Sequence, residues 1–199
     1  MRIIVYGVGA IGGTVAVALA LSGREVVGIA RGAQLAAIRA DGLLLRTPAL
    51  EARARFDCRA DPTEFALRTD DAILLTMKSQ DTVAALERLQ AAGLRDQPIF
   101  CVQNGVANER SASQRFANVH GVAVMMPAAW NAASASARSR PGKRPCRAVS
   151  PKVAATMLFR FIRSLPYLLS MTVSVTKAAT FAAFNASASA SSAPSRPSG

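Results

Sequence analysis

Not one aspartate or glutamate follows Trp130 in this chain of 199 residues. All 12 acidic side chains stand in residues 1–130, beside 14 of the 24 lysines and arginines, so this part carries a net charge of +2. Residues 131–199 hold the other 10 basic side chains and net +10. The total of +12 first suggests a nucleic acid or an anionic membrane as partner. Its distribution argues against both. The front is nearly neutral, and the positive charges of the tail are scattered with no aromatic stacking pattern between them. No nucleic-acid partner is expected.

Other scarcities narrow the chemistry. Histidine occurs once, at His120, which excludes a histidine-rich metal cluster. The three cysteines, Cys58, Cys101 and Cys146, are odd in number and lack CxxC spacing. Neither a disulfide framework nor a zinc site is expected, and a reducing cytoplasm is the default compartment. Long uncharged apolar runs are missing too. The one stretch of spanning length, Val153–Val175, contains Arg160, Arg163 and Pro166. A charge near the middle of a span costs about 2.5–3.5 kcal/mol on insertion scales, so no membrane partner is expected. The N-terminus is apolar but broken by glycines. It leads into an amphipathic helix pattern and reads as a first strand, not a signal peptide.

What is present in the front is a strand–turn–helix alternation. Arg2–Tyr6, "RIIVY", is a short β-branched run that ends at "GVGAIGG", followed by the apolar-periodic stretch Thr14–Ser22. Gly7, Gly9 and Gly12 spell G-x-G-x-x-G between a strand and a helix, the setting in which this motif binds dinucleotides. The first glycine permits the tight turn. The second lets a pyrophosphate approach the backbone, and the third lets helix and strand pack closely. The helix N-terminus then offers free N–H groups and a partial positive charge. Glu25–Ala30 is the second strand, and Arg31 follows it where an acidic residue would hold the ribose 2′-OH of NAD. An arginine there suits the 2′-phosphate of NADP; the other reading is a solvated surface charge.

Ala33–Ala40 reads as a helix, and Leu43–Arg46 with Ala52–Cys58 as a small hairpin around Pro48. Ala72–Met77 and Pro98–Val102 are apolar enough for buried parallel strands. The first runs into Lys78 and a helix reaching about Ala92, the second into Gln103, Asn104 and Gly105. A helix over Asn108–Phe116 and a strand over Val122–Met126 follow. The fold class is therefore α/β, a Rossmann-type doubly wound, mainly parallel sheet. Lys78 and Asn104 fall at consecutive strand ends, on the edge where ligands bind in such sheets. A solvated lysine and a turn-forming Asn-Gly pair are the alternatives.

Taken together, these residues resemble the ketopantoate reductase (2-dehydropantoate 2-reductase) family. The matching pieces are "GVGAIGG" at 7–13, Arg31, "LLTMKSQDT" at 74–82 and "VQNGVANE" at 102–109, in the family's order and spacing. The resemblance covers about residues 1–130. It implies an NADP-binding Rossmann domain with Gly7, Val8, Gly9, Ala10, Ile11, Gly12 and Arg31 on the cofactor. It places Lys78 and Asn104 in the nicotinamide and substrate cleft, with Asn104 touching both ligands. Ala128, in "MPAAW", matches a position whose backbone contacts the cofactor in the family. The implied reaction is hydride transfer from NADPH to the keto carbon of 2-dehydropantoate, giving pantoate on the route to pantothenate and coenzyme A. A small 2-oxo acid is the implied substrate.

The family's proton-donating lysine, its substrate-gripping asparagines and serine, and a glutamate near the cofactor lie in a helical second domain. Residues 131–199 have Lys143, Lys152 and Lys177, none in a matching context, so no catalytic residue is assigned. The segment holds 15 Ala, 13 Ser, 7 Arg and 6 Pro among 69 residues. Its end, Asn185–Gly199, is too low in complexity to bury a core. GC-rich coding DNA read out of frame gives this composition. The expectation is a frameshifted or poorly ordered tail in place of the helical domain, and a reductase impaired in catalysis.

Overall fold

The first strand, β1 (Ile3–Tyr6), is apolar on both faces, and both faces are used. Ile3 and Val5 enter one hydrophobic cluster, and Ile4 and Tyr6 enter another on the opposite side. Successive strand side chains point to opposite faces, so a run without alternation marks a strand covered on both sides. In the computed structural model the described residues are 1–46, 51–105 and 107–124, with the backbone of strands at 128–131, 136–139 and 173–177.

The next elements are α1 (Ala10–Leu21), β2 (Val26–Ile29), α2 (Gly32–Asp41), β3 (Leu43–Arg46), β4 (Glu51–Ala54) and β5 (Asp57–Arg59). Then come β6 (Ala72–Leu75), α3 (Thr82–Ala91), β7 (Ile99–Cys101), α4 (Ala107–Ser113) and β8 (Val119–Val124). Three further strands are β9 (Ala128–Asn131), β10 (Ser136–Ser139) and β11 (Val173–Lys177). Among the described residues the main sheet has the order β11-β8-β7-β6-β1-β2-β5. The pairs from β5 through β8 are all parallel, and β11 adds antiparallel to β8. Helices α1 and α2 feed the cluster on one face, and α3 and α4 the cluster on the other. This is the doubly wound Rossmann architecture expected from the sequence. The chain leaves β1 first toward β2 and later toward β6, so the order reverses at β1.

Two readings change. The run Ala52–Cys58 is not one arm of a hairpin. Its first part, β4, pairs antiparallel with β3, while β5 crosses to the main sheet and pairs parallel with β2. Ala54 and Cys58 are both buried, one in each sheet, so a single apolar alternation serves two partners. Helix α1 is not amphipathic either. Its sequence, "AIGGTVAVALAL", has no charged residue. It packs against β1 and β2 on one side and against the second sheet, β4-β3-β10-β9, on the other. A helix apolar all round is one covered on both sides, and only Leu21 at its end stands exposed. The low-complexity run 185–199 lies outside the described residues, as does most of the stretch 153–175. Among the described residues no helix is long and apolar enough to cross a membrane.

The sheet edge opposite the glycine turn is closed by a buried ion pair. Arg2 donates from Nε to Asp71 Oδ1 at 2.8 Å and from Nη2 to Oδ2 at 2.7 Å. Arg2 Nη2 also bonds the Ala66 carbonyl at 2.8 Å, and its guanidinium lies 5.2 Å from the centre of the Phe65 ring. Asp71 accepts a further bond from the Arg68 amide at 2.7 Å. The hydrogen bonds to Asp71 hold the guanidinium even more firmly protonated than usual. Both carboxylate oxygens of Asp71 and the Nε and Nη2 of Arg2 have partners, the kind of pairing under which a buried ion pair is tolerated.

Candidate functional site

At the carboxyl ends of β1, β2, β6 and β7 lies a cleft of about 730 Å³. Its floor is the turn between β1 and α1, and each glycine there has a different constraint. Gly7 has φ +98°, and a Cβ on it would lie 2.7 Å from the Met77 amide nitrogen. Gly12 is packed harder still. Its Cβ would fall 2.3 Å from the Gly7 carbonyl oxygen and 2.4 Å from Thr76 Oγ1. Gly9 is the opposite case: a Cβ there meets nothing closer than 4.0 Å. Two glycines are demanded by the protein's own packing. The third faces open space, which is where a ligand would lie.

The helix behind the turn is left ready for an anion. Gly9 is the N-cap of α1 and supplies no side-chain cap, and no acidic residue stands in the first turn. First-turn N–H groups and the helix dipole therefore meet no competing negative charge from these positions. The turn itself is pinned from β6. Thr76 Oγ1 lies 3.0 Å from the Tyr6 carbonyl and 2.8 Å from the Gly7 carbonyl.

Arg31 ends the extension of β2 and is the N-cap of α2, with extended backbone (φ −131°, ψ 160°). Its side chain is exposed at the cleft. Beneath it is Tyr6, whose hydroxyl is buried without a hydrogen-bond partner. Burial pushes the Tyr6 phenol above its ordinary range, and the nearby Arg31 opposes that shift. Lys78 caps a short 3₁₀ turn, Ser79–Asp81, at the far side. Asn104 follows Gln103 in the loop after β7, before Gly105 at φ +93°. Lys78 and Asn104 are exposed, and both line the cleft.

The structure thus brings Gly7, Val8, Gly9, Ala10, Ile11, Arg31, Lys78 and Asn104 into one cleft. Gly12 stands behind it as a packing residue. Ala128 opens β9 in the second sheet, paired with Ser139; its relation to the cleft lies outside the described residues. Sequence reasoning missed Thr76. Its signal was available, since it is the one polar residue in the run "AILLTM". It also missed the buried Gln103, Thr82 and Asn108, which lie behind Lys78 and Asn104. Cys58 and Cys101 are free and buried, and burial pushes their thiols up to about 11 and about 12. Neither is a nucleophile at neutral pH. His120 stacks on Phe100, with ring centres 4.9 Å apart. Among the described residues no group of acidic, histidine and cysteine side chains could hold a metal ion.

Comparison with known proteins gives this cleft a lineage. The family model described as ketopantoate reductase PanE/ApbA matches residues 3–142. The chain belongs to that family. The match runs past residue 130, where the resemblance read from the sequence stopped, and takes in β9 and β10. Those strands continue the second sheet alongside β3, so the sheet has a structural reason to extend there. A 2-dehydropantoate 2-reductase from Mesorhizobium japonicum is 36% identical over 107 residues, which is 53% of this chain and 32% of that protein. The PanE/ApbA family ketopantoate reductase of Ralstonia eutropha superposes with a TM-score of 0.64 at 27% identity, over 70% of this chain and 46% of that one. The 2-dehydropantoate 2-reductase of Porphyromonas gingivalis gives 0.62 at 26% identity, over 70% of this chain and 51% of that one. The chain therefore spans about a third to a half of the relatives' lengths. A D-mandelate dehydrogenase solved with NADH and anilino(oxo)acetate shares the fold, with a TM-score of 0.62 at 22% identity.

Proposed function

We propose that residues 1–130 form the NADP(H)-binding half of a cytoplasmic 2-dehydropantoate 2-reductase. The observation that carries this reading is the contrast within the glycine turn. Gly7 and Gly12 are closed by the protein itself, while Gly9 opens onto the uncapped end of α1. A pyrophosphate fits at Gly9, held by first-turn N–H groups. Arg31 takes the 2′-phosphate through charge-assisted hydrogen bonds. Lys78 and Asn104 face the nicotinamide end, with Asn104 shared between cofactor and substrate.

Bound NADPH supplies a hydride to the keto carbon of a 2-oxo acid. The chain's own residues bind and orient: the turn sets the depth of the dinucleotide, and Lys78 adds positive charge near the carboxylate of an incoming substrate. The developing alkoxide needs a proton donor within hydrogen-bond reach. Lys143, Lys152 and Lys177 stand in no context matching the family's proton donor, and the residues beyond 142 stand where the family's helical domain would follow. A second reading, nucleotide binding without turnover, is favoured by the composition of 131–199, with 15 Ala, 13 Ser and no acidic residue. General acid–base assistance is worth about 10²–10⁴ in rate. The purified chain is expected to bind NADPH but to oxidise it with 2-dehydropantoate at a rate far below that of a full-length reductase. Fluorescence titration and an NADPH-oxidation assay test the two halves of the proposal. Absence of NADPH binding overturns the first. Turnover equal to a full-length reductase overturns the second.

A further inference from the structure

Behind Lys78 and Asn104, and outside every role assigned above, runs a buried chain of hydrogen bonds. Gln103 Nε2 donates to the Met77 carbonyl and to Thr82 Oγ1, each at 2.8 Å. Thr82 Oγ1 donates to Asn108 Oδ1 at 3.1 Å. Asn108 Nδ2 donates to Ser79 Oγ at 3.0 Å and to the Asn104 carbonyl at 3.3 Å. Gln103, Thr82 and Asn108 are 4%, 1% and 3% exposed, so water does not compete for these bonds.

The direction of the chain is forced. Both amide protons of Gln103 are committed, the single proton of Thr82 is committed, and both amide protons of Asn108 are committed. Reversing any amide would set donor against donor or a lone pair against the Met77 or Asn104 carbonyl. The arrangement leaves Gln103 Oε1 buried without a partner, a cost the fold bears to keep both N–H groups on target. The chain ties together two loops. One, after β6, carries Lys78; the other, after β7, carries Asn104.

Resting on the cofactor reading above, we propose that Thr82 and Asn108 are positioning residues that hold Lys78 and Asn104 in register at the nicotinamide end of the cleft. They touch neither ligand. They act by fixing the backbone of Met77–Ser79 relative to that of Asn104. A network with one allowed arrangement orders both loops at once, so breaking it in the middle releases the two exposed side chains together. Arg31 and the glycine turn have no member in the network, so the adenosine end is unaffected.

The test compares two probes on the full chain: NADPH, and 2′,5′-ADP, which carries the 2′-phosphate but no nicotinamide. Thr82→Val keeps the shape and removes the hydroxyl; Thr82→Ser restores it. Thr82→Val is expected to weaken NADPH about tenfold, the scale of one buried hydrogen-bond link. Affinity for 2′,5′-ADP should stay within about twofold of the parent, and Thr82→Ser should recover NADPH binding. If Thr82→Val does not fold, Ser79→Ala on the exposed end of the network takes its place, with the same pattern expected. Equal weakening of both probes means a general structural role and overturns the proposal. A parent that binds both probes, with a variant that binds them equally well, overturns it alone. A parent that binds neither probe overturns it together with the cofactor reading.

Discussion

The two edges of the main sheet are built from the same parallel strands and finished in opposite ways. At the amino-terminal edge, Arg2 and Asp71 satisfy each other in the interior, with side chains 7% and 0% exposed. At the carboxyl-terminal edge, Arg31, Lys78 and Asn104 stand exposed, α1 is uncapped, and the Tyr6 hydroxyl has no partner. At the first edge the opposite charges are turned inward onto each other. The second has donors and positive charge to spare, all facing one cleft. Strand order reverses at β1, and the crevice created there lies at the second edge only. The contrast teaches where to look for stability and where to look for binding, and single substitutions can separate the two.

The largest expected effect is at Gly9. Its φ is negative (−88°), with ψ −146° outside the helical and extended regions, and a Cβ there would meet only the Gly7 carbonyl oxygen, at 4.0 Å. Gly9→Val should therefore leave the domain folded, with a modest fall in melting temperature, and abolish NADPH binding, because the branched side chain fills the space at the turn. Thermal melts and fluorescence titration check both halves; binding at parental affinity would make the turn merely structural. The opposite behaviour is expected at the other edge. Arg2→Met strands the Asp71 carboxylate and should cost about 3–5 kcal/mol of stability. NADPH affinity, measured below the melting point, should not change. Adding Asp71→Leu should recover much of the loss in denaturant melts, since the unpaired charge is then gone.

Arg31→Ala sharpens the comparison within the cleft-bearing edge. Loss of a charge-assisted contact of roughly 1.5–3 kcal/mol should erase a preference for NADPH over NADH of more than tenfold, while NADH affinity stays as it was. Equal affinities in the parent would sink this prediction before any variant is made. The smallest effect concerns Glu109, whose Oε2 is buried without a partner. Burial holds its pKa above the ordinary value of 4.5. The folded state therefore binds this proton more tightly than the unfolded state. Stability from this group grows as pH falls from the raised value toward 4.5, and it is lost as pH rises through that value. Glu109→Gln should flatten that part of the stability profile, measured by urea melts across mildly acidic to neutral pH. Asp61 and Asp70, whose values are lowered, contribute stability above the ordinary carboxylate value and lose it only as pH falls through the lowered one, outside this window.

Much of the cleft-bearing edge was legible because its signals are local. A β-branched run, the three motif glycines Gly7, Gly9 and Gly12, and an uncharged apolar stretch stand side by side in residues 2–22, so the motif and its setting are read in one glance. Lys78 and Asn104 were legible as polar residues at the ends of apolar runs. The stabilising edge was not. Arg2 and Asp71 are 69 positions apart, and no local pattern tells an arginine which carboxylate it will meet. Thr82 and Asn108 escaped for the same reason: a threonine at a helix start and an asparagine after a turn read as caps until β6 and β7 are placed side by side. The division of 52–58 between two sheets was equally hidden, since alternation gives the face of a strand and not its neighbour.

The Thr76 hydroxyl has one further consequence, in time and not in space. It fastens the Tyr6 and Gly7 carbonyls across 70 and 69 positions of sequence. The glycine motif is complete within residues 7–13, but its shape is not. The cost of closing so long a loop is met before the contact rewards it, and parallel pairing is slow for that reason. A nascent chain that has not yet delivered β6 carries the motif without the turn. In refolding, the capacity to bind nucleotide should therefore lag behind the growth of helical signal, appearing only when β1 and β6 have paired.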